Sequence, residues 1–154
     1  MIIGIDPGKA GAIAYITPAG AVGAMPMPLS GKELDAHAIS RLLFDQNPSL
    51  VIIEKAQAMP GQGVTSMFNY GKGFGILLGV CEAMNIPYRL VTPQAWKKLV
   101  LAGTAKDKDA AVNFVRRAYP SVNLTPGRKV KPHDGMADAV CIAEYGARLG
   151  VQTA

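Results

Sequence analysis

The chain has 154 residues, 49% of them hydrophobic and 18% charged. That is enough apolar material to bury the core of one domain, and it excludes a disordered tail. Lysine plus arginine is 16 against 11 acids, a net charge of +5, which favours a polyanionic partner, the plain alternative being a soluble basic protein.

No segment approaches the roughly 18 uninterrupted apolar residues of a membrane span. The opening Met1-Ile2-Ile3-Gly4-Ile5-Asp6 has no basic leader and sets an acid among its apolar residues, unlike a signal peptide. Cys81 and Cys141 lie far apart in apolar helical contexts and read as reduced core thiols. The reading is an intracellular protein of a single domain, 1–154.

In chain order, Ile2–Ile5 is a β-branched run that stops at Asp6-Pro7-Gly8, a strand running into a turn. Ala12–Thr17 reads as a second strand, Pro18-Ala19-Gly20 as a hairpin turn and Ala21–Met27 as a third strand. Ser30, with Glu33 three residues on, has capping-box spacing and predicts a helix running to about Asn47. Leu50–Ile53 is a buried-type strand with Glu54 at its end. Lys55–Gly63 is a loop, and Val64–Met84 a long helix on which Gly71, Gly75 and Gly79 share one face. That face is a candidate subunit interface. Tyr88–Val91 is a further strand, and Pro93 opens a short helix bearing Trp96. Lys106–Tyr119 reads as a helix, Ser121–His133 as a basic connector, and Asp134–Leu149 as an alanine-rich helix. The expected fold is α/β: a central mixed sheet, three antiparallel strands then parallel ones, flanked by helices.

With only 11 acids, their placement is informative. Asp6 and Glu54 each follow an apolar strand, so adjacent strands would bring both to one edge of the core. Asp134 and Asp138 lie four apart in a helical segment and share a face. Four converging carboxylates repel unless a cation stands among them. Oxygen donors alone suit Mg²⁺ or Mn²⁺ over zinc, and two such ions can hydrolyse a phosphodiester. Each acid also has a plain reading. Asp6 is a good turn residue, Glu54 a partner for a lysine, and Asp134 a helix cap. Asp138, among alanines, is the hardest to dismiss.

Ten basic residues against two acids fall between Arg89 and Lys131, so the net charge resides there. Lys97, Lys98, Lys106, Lys108, Arg128, Lys129 and Lys131 are candidate phosphate contacts, with Lys9 and Lys72 beside them. The plain alternative is a solvated helix face. Phe68 and Tyr70, after a glycine-bearing loop, are candidates to stack on bases, and Trp96 is expected in the core. Gly4-Ile5-Asp6-Pro7-Gly8-Lys9 fails as a phosphate loop by spacing.

Three segments in order, Gly4-Ile5-Asp6-Pro7-Gly8, Val51-Ile52-Ile53-Glu54 and Asp134-Gly135-Met136-Ala137-Asp138-Ala139, resemble the RuvC-type Holliday junction resolvases, phage-encoded members above all. Thr92–Lys98 and Lys106-Asp107-Lys108 resemble that family's basic DNA-contacting segment. The resemblance implies an RNase H-like fold, a homodimer and Mg²⁺-dependent paired nicking of four-way DNA junctions, with two ions per site. It implies that Asp6, Glu54 and Asp138 are carboxylate ligands and catalytic residues, and that Asp134 or His133 completes the set. The last two acids are four apart here rather than three, and Gly135 stands where the third acid would sit. Lys97 or Lys98, and Lys108, match lysines near the scissile phosphate. The family's wedge aromatic has no counterpart after Glu54, where Gln57 and Met59 stand.

Two other readings stay open. One is a module that binds branched DNA without cutting it, and the other a nuclease of the same fold acting on other branched DNA or RNA–DNA hybrids. An actin-like kinase is excluded by length and by the lack of a second phosphate loop.

Overall fold

The structure, a computed structural model, describes residues 1–127 and 129–152. Strands β1 (Ile2–Asp6), β2 (Ala12–Ile16) and β3 (Val22–Pro26) form an antiparallel meander. A small hairpin, β4 (Leu29–Ser30) and β5 (Glu33–Leu34), leads into α1 (Ala36–Gln46). Strand β6 (Leu50–Glu54) returns parallel to β1, followed by α2 (Val64–Ala83). Strand β7 (Tyr88–Val91) pairs parallel with β6. Helices α3 (Pro93–Val100), α4 (Ala110–Ala118) and α5 (Asp134–Gln152) complete the fold. The sheet order is β3-β2-β1-β6-β7, three antiparallel strands beside parallel ones, as the sequence predicted.

Strand side chains alternate between two cores, as a period of two requires. Ile3, Ile5, Val51 and Ile53 face a core shared with Ile39 and Leu43 of α1 and with Leu77 and Cys81 of α2. Ile52 faces the opposite core with Trp96, Val115, Met136, Val140 and Ile142. Gly4 belongs to this second side. A Cβ there would lie 2.2 Å from the Ala143 nitrogen and 2.4 Å from the Ala139 carbonyl oxygen, so α5 rests directly on the β1 backbone. Asp6 and Glu54, two residues beyond Gly4 and Ile52, continue the α5 side at the strand ends. Among the described residues no helix is long and apolar enough to cross a membrane.

Two predicted helices begin elsewhere. Ser30 and Glu33 do not form a capping box; they pair across the β4–β5 hairpin, with Gly31 in the left-handed region (φ 61°) at the turn. The cap of α1 is Asp35, whose carboxylate accepts from the Ala38 N–H at 2.9 Å. Likewise α4 starts at Ala110 rather than Lys106. The Asp107 side chain accepts from the Asp109 N–H at 2.9 Å and closes a local turn that competes with helix.

Candidate active site

Asp6, Glu54 and Asp138 come together where β1, β6 and the first turns of α5 end on one side of the sheet. Burial lifts the Asp6 carboxyl from 3.8 to about 8, with Asp138 and Glu54 adding to it and Lys97 opposing. Burial also lifts Asp138, to about 6; Lys97 opposes this, and Glu54 and Asp134 reinforce it. Mutual repulsion of this kind requires the carboxylates to be neighbours.

Glu54 is held by Trp96. The indole N–H donates to Oε2 at 2.6 Å, from a ring with no exposed surface. Thr92 fixes α3 beneath it, accepting from the Ala95 N–H at 3.2 Å, with Pro93 in the first turn. Sequence reasoning placed Trp96 in the core and missed this bond, because 42 residues separate the partners.

The N-terminus of α5 is seated by close contact. A Cβ on Gly135 would lie 2.5 Å from the Ala10 carbonyl oxygen, so no side chain fits there. This explains why glycine, and not an acid, occupies position 135. His133 caps the helix, its Nδ1 accepting from the Met136 N–H at 3.1 Å. That lone pair is therefore committed to the helix. Asp134 is exposed at the rim, and Asp138 is half-buried one turn further in.

The donor set, oxygen only and mutually repelling, fits a hard divalent cation. It is not a closed cage: among the described residues, no three His, Cys, Asp or Glu side chains gather tightly enough to hold a metal ion as they stand.

Two clefts flank the carboxylates. One, of about 730 Å³, is lined by Asp134 and Asp138 and walled by Lys97, Lys98, Lys106 and Lys108. The other, of about 710 Å³, runs from Asp6 past Lys9 to Ser66, Asn69 and Tyr70 on α2. Lys97 is the lysine that acts on both Asp6 and Asp138, and its Nζ lies 5.3 Å from the Trp96 ring centre. Lys129 and Lys131 are exposed, and Arg128 lies outside the described residues. Lys72 is ion-paired with Glu33, both of them exposed. Phe68 is 70% exposed and free to stack, whereas Tyr70 is turned inward against Gly8, a placement sequence did not signal.

No protein-family model matches the chain. The crossover junction endodeoxyribonuclease RuvC of Myxococcus xanthus is 25% identical over 157 residues, covering 94% of this chain and 81% of that protein. The Thermus thermophilus RuvC structure superimposes with a TM-score of 0.62 at 21% identity, covering 97% of this chain and 96% of that one. This chain has the fold of the RuvC-type resolvases. The T. thermophilus RuvC structure in complex with Holliday junction substrate gives a TM-score of 0.65 at 19% identity, with the same coverage of both chains. The yeast mitochondrial Holliday junction resolvase gives 0.60 at 16% identity, covering 98% of this chain and 79% of that one.

Proposed function

We propose that this chain is a structure-selective endonuclease that resolves four-way DNA junctions by paired nicks, acting inside the cell as a homodimer of single-domain subunits with two Mg²⁺ ions per site. The observation that carries this reading is the convergence of Asp6, Glu54 and Asp138 beside a lysine-walled cleft, in a chain similar to RuvC.

Each residue has a task that follows from its setting. Asp6 ends a strand paired on both sides, so its carboxylate is rigidly placed. Glu54 is oriented by the Trp96 N–H, which engages Oε2. Asp138 adds a third carboxylate from α5, with Asp134 at the rim. Asp6, Glu54 and Asp138 would hold the divalent ions, which would supply Lewis acidity and lower the pKa of a water nucleophile. Lys97, beside Asp6 and Asp138, offers positive charge to a phosphate whose negative charge grows at the transition state. Lys98, Lys106 and Lys108 draw the flanking phosphates into the cleft, and Lys9 does so on the opposite side.

The test is a labelled synthetic four-way junction and a matched linear duplex, each incubated with Mg²⁺ or with EDTA. Mg²⁺-dependent nicks on opposed strands, with the duplex spared, are the expected result. Tight junction binding without cutting would instead identify a binding module. Cutting of RNA–DNA hybrids in preference to junctions would identify a nuclease of different substrate class.

A further inference from the structure

Tyr70 lies on the second turn of α2 and is half-buried. Its ring rests against Gly8 in the turn after β1. A Cβ built on Gly8 would come within 3.1 Å of Cε2. Gly8 has φ +104°, a conformation that glycine adopts without strain, so the turn both bends there and leaves room for the ring.

The phenol answers to the site carboxylates. Burial first, then Asp6 and Glu54, push its pKa up to about 12. At neutral pH it is a neutral O–H that keeps its proton. Among the described residues no protein group is hydrogen-bonded to that hydroxyl. Tyr70 shares the 710 Å³ cleft with Asp6, Lys9, Ser66 and Asn69. A donor lacking an acceptor, beside an acid and a lysine in an open cleft, is suited to an anionic oxygen arriving from outside.

We propose that Tyr70 is a catalytic residue whose phenol donates a hydrogen bond to a non-bridging oxygen of the phosphate being cut. It does so from the α2 side of the sheet, whereas Lys97 approaches from the α3 side. The phenol keeps its proton throughout, so no proton transfer is involved. This inference rests on the nuclease reading above.

Tyr70→Phe keeps the ring against Gly8 and removes only the O–H. Single-turnover cleavage of the junction with saturating protein and Mg²⁺ is expected to slow about 10–100-fold. Junction affinity in EDTA and the melting temperature are expected to stay unchanged. Stereodefined phosphorothioates at the cut position separate substrate contact from a structural role. Sulfur accepts hydrogen bonds poorly, so the Tyr70→Phe defect should shrink on one diastereomer only. Tyr70→Phe cutting as fast as wild type overturns the proposal while leaving the nuclease reading intact. An equal defect on all substrates overturns it too, by revealing a structural role. Wild-type protein that cuts no junction overturns the nuclease reading and this proposal with it.

Discussion

The indole N–H of Trp96 reaches Glu54 Oε2 at 2.6 Å and ties the second helix-bearing core to the carboxylate site. Trp96→Phe keeps the apolar bulk but strips a half-buried carboxylate of its donor. Loss of a hydrogen bond to a charged group costs about 1.5–3 kcal/mol, which urea unfolding would register. Glu54→Gln retains an oxygen acceptor for the indole. It should unfold close to wild type while junction cleavage is lost.

Asp6→Asn removes a negative charge that burial and two neighbouring acids disfavour. The variant should melt above wild type at about pH 8 in EDTA. It should still bind the junction, at least as tightly, because binding depends on the lysine walls and one repelling charge is gone. Cleavage should fall at least about a hundredfold. Gel-shift and cleavage assays on one preparation test both statements.

The raised carboxyls also set a pH dependence. Asp6 titrates near 3.8 when unfolded and at about 8 when folded, so the folded state binds more protons in between. Stability is therefore greatest below about pH 4 as far as this group is concerned, and is lost as pH rises toward about 8. Asp138 adds a similar loss that is complete by about pH 6. Melting in EDTA should be higher at about pH 6 than at about pH 8. Divalent ions should raise the melting temperature more at the higher pH, and Asp6→Asn should flatten both trends.

Two glycines predict opposite outcomes. Gly135→Ala drives a methyl group toward the Ala10 carbonyl, lifts α5 off the β1–β2 turn, and should cost about 1–3 kcal/mol or more. Gly79→Ala meets nothing within 4 Å and should stabilise the helix by up to about 1 kcal/mol. Denaturant melts of the two variants distinguish a glycine packed against its own subunit from one that is not.

The open face of Gly71, Gly75 and Gly79 bears on assembly. If α2 pairs two subunits there, Gly75→Arg should shift sedimentation from dimer to monomer. Nicks should then appear singly rather than on opposed strands.

The order of strands and helices was readable because each strand is a short apolar run bounded by turn residues. The three half-buried acids were readable because each terminates such a run or interrupts an alanine-rich helix. Other features were not. Ser30 and Glu33 carry the letters of a capping box, but Gly31 turned the chain into a hairpin and Asp35 took the cap. The turn before α4 is closed by backbone bonds and by the Asp109 N–H donating to the Asp107 carboxylate, which helical periodicity does not register. Tyr70 suggested a base-stacking residue by its place after a loop. Its inward position depends on a glycine 62 positions earlier in the chain, which only the fold brings near.

The seating of α5 on β1 has a consequence for biosynthesis. Asp6 leaves the ribosome early, and Asp138 late. Until the last helix is released, Gly4 and the Pro7–Gly11 turn lack the surface that shapes them. A partly synthesised chain therefore carries the lysines that attract DNA without the complete acid set. Ribosome-bound intermediates should hold nucleic acid without cutting it, and a messenger truncated before codon 134 should yield no active nuclease.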